Sequence, residues 1–130
     1  MSDILRNLER GYTLIWREGR LEDGLRGLDE DFEWVVPYIP EDPVRHGHEG
    51  VLEFFRDWME PFRGLEVDWE LHEAGPDQVL AVIEMHGTGR ESGAPVEMRF
   101  GQLWTFRGGR AARMVMYNDI DEARRAAGLE

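Results

Sequence analysis

Apolar positions in this chain recur with one of two periods, and the places where the period changes divide it into helices and strands. Over residues 3–18, Ile4, Leu5, Leu8, Tyr12, Ile15 and Trp16 return at three- and four-residue steps. That is the stripe of an amphipathic helix, with Ser2 or Asp3 to cap it and Gly19 to end it. Leu21, Leu25 and Leu28 suggest a second short helix. The run DFEWVV at residues 31–36 reads as a strand stopped by Pro37. Residues 37–50, with three prolines, Tyr38, His46 and His48, read as a loop. A third helix then carries Val51, Leu52, Phe54, Phe55, Trp58, Met59 and Phe62 along nearly a whole side.

From residue 65 onward the period drops to two. LEVDWEL alternates Leu65, Val67, Trp69 and Leu71 with Glu66, Asp68 and Glu70, a strand with one wet face. Gly75-Pro76-Asp77 turns the chain into residues 79–86, where both faces are partly apolar. GTGRESGAP is a glycine-rich turn that leads into another strand, so it lacks the helix N-terminus that a phosphate cradle needs. Two long strands follow, joined at Gly108-Gly109. On the first, Met98, Phe100, Gln102, Trp104 and Phe106 share a face that is large, apolar and interrupted by a single amide. On the second, Ala112, Met114, Met116 and Asn118 share one. Asp119 and Glu122 have the form of a capping box, which predicts a last short helix ending at Gly128.

The order helix, helix, strand, helix, four strands, helix implies a single α+β domain over residues 1–130. A curved antiparallel sheet would wrap the first and third helices and leave a one-mouthed cone. Composition narrows what such a domain does. The absence of cysteine removes disulfides, thiol nucleophiles and thiolate zinc sites, and the net charge of −12 repels phosphate backbones, so no nucleic-acid partner is expected. No apolar run approaches membrane-spanning length, and the N-terminal stretch has no signal-peptide core; a cytoplasmic protein without membrane partners is expected. Five Trp and six Phe must line a core, a pocket or an interface.

The element order, with HGHEG before the third helix, GTGRESGAPVE before the hairpin and YNDIDEARRAAGL at the end, resembles the SnoaL-like branch of the nuclear transport factor 2 superfamily along essentially the whole chain. The resemblance implies a cone-shaped, cystatin-like α+β fold, a hydrophobic pocket, and a homodimer through the outer sheet face, where Leu80, Val82, Leu103 and Val115 would sit. It also implies kinship with polyketide cyclases and ketosteroid isomerase-like enzymes, whose chemistry uses no cofactor.

Carried over one position at a time, that chemistry is incomplete. Ketosteroid isomerase combines a Tyr and a protonated Asp, as an oxyanion hole, with an Asp general base. Tyr12 matches the tyrosine by its spacing from Gly19, the protonated acid falls on Gln102, and the base position before the proline is Val36. The His and Asp of SnoaL-type cyclases fall near Gln102 and Met116, neither a proton carrier at neutral pH.

Each remaining candidate has a plainer reading beside it. Glu84 and His86 share a strand face and could form an acid–base pair. Alternatively they point outward, since Val79, Ala81, Ile83 and Met85 make the more apolar face. His46, His48 and Glu49 could suggest a metal, but no further ligand is placed and none is expected. Trp16, Trp34, Trp58 and Trp104, with the aromatic stripe of the third helix that ends at Phe62, are core residues by default. Tyr38 in the loop and Phe100 and Met116 on the hairpin join them as candidate ligand contacts. Around a hollow they would be a stacking surface for a flat ring. Gln102 and Asn118 need hydrogen-bond partners from a ligand, from each other, from Tyr12 or from trapped water. The expectation is an apolar aromatic pocket for a small hydrophobic molecule that bears a carbonyl. If the protein is catalytic, Tyr12 and Gln102 would polarise that oxygen for isomerisation, cyclisation or hydration. The alternatives are a non-catalytic ligand module and a dimeric interaction protein whose cone is filled.

Overall fold

Both periods appear in the computed structural model, which describes residues 2–41 and 43–129. The first helix, α1 (Asp3–Tyr12), starts where Ser2 Oγ accepts the Leu5 N–H at 3.3 Å and runs on through a π turn (Thr13–Arg17). Helix α2 (Leu21–Leu25) and strands β1 (Leu28–Val35) and β2 (Val44–His46) precede helix α3 (Gly47–Met59). Four strands follow: β3 (Phe62–Glu73), β4 (Gln78–Gly89), β5 (Pro95–Arg107) and β6 (Arg110–Tyr117). Helix α4 (Ile120–Ala127) closes the chain, capped by Asp119, whose carboxylate accepts the Asp121 N–H at 2.8 Å. Gly108 and Gly109 both have positive φ, +60° and +80°, as the tight β5–β6 turn requires.

The six strands form one curved, unclosed sheet in the order β2-β1-β6-β5-β4-β3, antiparallel except for the parallel β1–β6 pair. Its concave face packs on α1 and α3 around fully buried Phe32, Val51, Val67, Ile83 and Met114. On the convex face, α4 lays Ala123 and Ala127 over Leu80 and Leu103. Gly101 permits this approach, because a Cβ there would stand 2.7 Å from the Ala123 Cβ. Two of the four residues expected on a free outer face, Leu80 and Leu103, are therefore covered by the chain's own last helix. Elsewhere that face carries an exposed ion pair, Arg99 with Glu84 at 3.3 Å, and a contact of His86 with Glu97 at 3.4 Å.

Several local features depart from the sequence reading. The stretch read as a loop contains β2, which pairs with β1 through Glu33–His46, Trp34–Arg45 and Val35–Val44. Three residues are too few to display a period. Helix α3 begins at Gly47, four residues before its apolar stripe, so His48 lies in its first turn and hydrogen-bonds the Leu28 carbonyl at 2.8 Å. Leu28 belongs to β1 instead of the second helix, and Phe62 opens β3 after Pro61 instead of ending α3. A bulge between Thr105 and Phe106 pairs Phe106 with Ala111, so Ala111, not Ala112, takes the inward place at the start of β6. Among the described residues, no helix is long and apolar enough to cross a membrane.

Candidate functional site

Tyr12 ends the regular part of α1, just before the π turn, and is buried against the sheet. Its hydroxyl donates to Gln102 Oε1 on β5 and accepts from the Trp104 indole Nε1–H at 2.9 Å. Its ring stacks on Trp69, 5.5 Å between centroids at 21°, and meets Trp104 edge-on at 6.2 Å and 86°. Period two explains why Gln102 and Trp104 both reach it: they are successive inward positions of one strand. Gln102 is 5% exposed and is the single buried polar residue among those described. Its carbonyl oxygen is taken by Tyr12, whereas its amide nitrogen makes no hydrogen bond among the described residues. Burial pushes the Tyr12 hydroxyl far above the ordinary tyrosine pKa, and the Trp104 N–H offsets this only in part. Tyr12 is thus a neutral donor at any physiological pH.

This triad borders a cavity of about 50 Å³. Helices supply Ile15, Trp16, Phe55 and Trp58 to its wall; the sheet supplies Trp34, Phe100, Gln102, Trp104 and Met116. The volume holds a few waters at ~10–15 Å³ each, and falls short of the ~150 Å³ at which a dry cavity takes benzene. The cone is mostly filled by its own rings. Trp34 packs on Phe55 and Phe54 at 5.2 and 5.6 Å, Trp16 on Phe55 at 6.0 Å, and Trp58 on Phe100 at 6.4 Å. A larger polar hollow, about 540 Å³, lies outside α1 and α2, with Arg6, Arg10, Arg20 and Arg26 among its lining residues. It shares Asn7, Gly11, Gly24 and Gly27 with the inner cavity, so the two hollows meet at a seam of three glycines and one asparagine.

Eight of the residues expected around a pocket line this cavity: Tyr12, Trp16, Trp34 and Trp58, and from the hairpin Phe100, Gln102, Trp104 and Met116. Three do not. Asn118 is exposed at the end of β6, because the strand leaves the cone one residue earlier. Tyr38 is 46% exposed, and only its hydroxyl turns back, to the Met116 sulfur at 2.8 Å; its partial burial raises its pKa. Phe62 lies on β3, where it packs against Trp58. Glu84 and His86 are exposed on the outer face, paired with Arg99 and Glu97, and cannot serve this cavity as acid and base.

Among the described residues, no Asp, Glu, His or Arg lines the inner cavity. Glu9, one turn before Tyr12, instead accepts the Trp69 indole N–H. Val36, at the position of the isomerase base, is buried and apolar. His46 is exposed while His48 is bonded to Leu28, and among the described residues no three His, Asp or Glu side chains gather where a metal could bind. The sequence reading missed the seam residues Asn7, Gly11, Gly24 and Gly27. The signal for it was the pair of glycines within helical stretches, where a Cβ at Gly24 would stand 2.4 Å from Ile15 Cγ1.

This fold is shared with solved structures of low sequence identity. A nuclear transport factor 2-like protein of unknown function from Burkholderia pseudomallei is 22% identical, with a TM-score of 0.77 over 96% of this chain and 97% of that one. TerC, co-crystallised with polyporic acid, is 23% identical, with a TM-score of 0.76 over 98% and 99%. A candidate SnoaL-like polyketide cyclase from Jannaschia sp. CCS1 is 19% identical, with a TM-score of 0.73 over 100% and 97%. No curated protein sequence matches the chain. The model of the SnoaL-like domain matches residues 8–114, and the chain belongs to that family.

Proposed function

We propose that this SnoaL-like domain is a binding module for a small, flat, uncharged molecule that presents a carbonyl to the amide N–H2 of Gln102, whose own carbonyl Tyr12 holds in place. The observation that carries the reading is the composition of the cavity wall: a neutral hydrogen-bonding triad in an aromatic lining, with no titratable acid or base beside it. Such a wall can polarise an oxygen, but it has no group to take a proton from carbon, which isomerisation and cyclisation on this fold require. A charged ligand finds no counterion there, and burying one unpaired is prohibitive. The co-crystallisation of TerC with polyporic acid supports a small organic ligand for the fold.

Entry requires the lining to move, since about 50 Å³ is less than a ring needs. Trp58, half-buried at the end of α3, and Met116, an unbranched thioether, are the side chains best able to yield. The experiment is a panel of neutral aromatic ketones, hydrocarbons and carboxylates followed by calorimetry and by shift in melting temperature. Micromolar binding of ketones, little binding of carboxylates and no turnover of an enolisable ketone is the expected result. Absence of binding across the panel removes the reading, and a measurable rate of α-proton exchange replaces it with an enzymatic one.

A further inference from the structure

We infer that the indole N–H of Trp34 is a ligand-recognition group, and that the ligand carries a second hydrogen-bond acceptor opposite the one held at Gln102. This rests on the binding reading above and adds to it the number and placement of the ligand's polar atoms. Trp34 is 2% exposed and lines the cavity, yet among the described residues its Nε1–H is buried without a hydrogen-bond partner. A buried donor left unpaired is costly, and the large majority of buried side-chain polar groups in folded proteins find a partner. Its surroundings explain the isolation. The rings of Phe32, Phe54, Phe55 and Trp104 pack against it, the last edge-on at 6.0 Å and 81°. An aromatic face is a weak acceptor.

Strand register places the two donors on the same face of the sheet, two strands apart. Trp34 on β1 pairs with Met114 on β6, which pairs with Trp104 on β5, and Gln102 is the next inward residue beyond Trp104. Two strand spacings, about 10 Å, separate their backbones across the sheet, and both side chains line the same cavity. Acceptors at opposite edges of one ring can meet both. Both groups offered are donors, because the Gln102 carbonyl is already taken by Tyr12. The ligand class is therefore a neutral ring compound with two opposed carbonyls.

The test compares 1,4-naphthoquinone with naphthalene, its shape twin without acceptors, on the wild-type protein and on Trp34→Phe; with no cysteine present, the quinone has no thiol to attack. Trp34→Phe should weaken the quinone about tenfold, the loss of one net hydrogen bond, and leave naphthalene nearly unchanged. Equal weakening of both probes marks a packing effect and overturns the inference, as does no weakening of either. Should Trp34→Phe fail to fold, the wild-type indole signal of Trp34 in a proton–nitrogen spectrum decides. It should move downfield with the quinone and not with naphthalene, and identical movement with both overturns the assignment. If the wild type binds naphthalene and the quinone equally, this inference alone falls; if it binds neither probe nor any of the ketone panel, the binding reading falls first and takes this inference with it.

Discussion

The hydroxyl of Tyr12 and the side-chain carbonyl of Gln102 meet inside the cone across 90 positions of sequence, tying the first helix to the longest strand. Because Trp104 donates to the same hydroxyl, Tyr12→Phe strands two buried groups at once, the Gln102 carbonyl and the Trp104 N–H. The expected cost is about 2 to 4 kcal/mol in urea unfolding, one desolvation penalty for each orphan. Gln102→Leu leaves the hydroxyl one partner and should cost about 1 kcal/mol. The two are not independent: the double variant should be less destabilised than the sum, by about 1 kcal/mol. Strict additivity would show that the bond contributes nothing.

Burial of Tyr12 predicts a pH dependence with a definite sign. Its folded-state pKa is raised, so its contribution to stability is complete below the unfolded tyrosine value of about 10 and is lost as pH climbs above it. In that range the unfolded chain releases the proton while the folded chain holds it. The sequence has neither lysine nor cysteine, so few other side chains titrate there. Urea midpoints measured from about pH 8 to pH 11.5 should fall for the wild type and fall less steeply for Tyr12→Phe. Parallel curves would mean that Tyr12 is solvated in the folded protein. Among the described residues, no Asp, Glu or His lines the inner cavity, so ligand affinity should be flat between about pH 5 and 8.

How much of this was legible beforehand depended on whether a residue's environment is set by its own element or by a neighbouring one. The alternation of Met98, Phe100, Gln102, Trp104 and Phe106 gave the inward face of β5, and the excess of apolar residues at Val79, Ala81, Ile83 and Met85 favoured an outward Glu84 and His86. Gln102 was identified as an amide needing a partner, with Tyr12 among the candidates, and Tyr12 takes its carbonyl oxygen. Length defeated period at β2. A bulge, invisible to alternation, exchanged Ala112 for Ala111. Asn118 kept the parity of Met116 but lies past the last strand pair, where parity no longer assigns a face. The filled state of the cone was out of reach as well, because it turns on how Trp34, Phe54 and Phe55 pack against one another, and spacing carries no rotamers.

Gly101 is the contact point for α4. A side chain there meets Ala123 at 2.7 Å, backed by Leu80, so Gly101→Val should lift the helix and destabilise the domain by about 1 to 3 kcal/mol. Ala123→Gly in the same chain should restore part of the loss, since it removes the opposing methyl. Hydrogen exchange supplies the local readout, with amides of residues 120–127 losing protection before those of the inner sheet. Loss of protection spread evenly over the sheet would place the strain elsewhere.

Glu84 and His86 each face their own strand partner directly: Glu84 is paired in register with Arg99, and His86 with Glu97. Glu84 is 52% and His86 50% exposed, and Glu97 80%, so water screens both contacts and they contribute little. Their backbone neighbours Ile83 and Met85 point into the cavity wall, so parity alone holds the two polar side chains outside it. Glu84→Gln, His86→Gln and the double variant should each change unfolding free energy by no more than about 0.5 kcal/mol. Ligand affinity and any turnover should stay within about twofold of the wild type, since a surface change away from the site leaves the cavity wall as it was. A tenfold loss from either substitution would require β4 to present its opposite face to the cone. That exchange would also drive Ile83 and Met85 into solvent, and the unfolding measurements would register it.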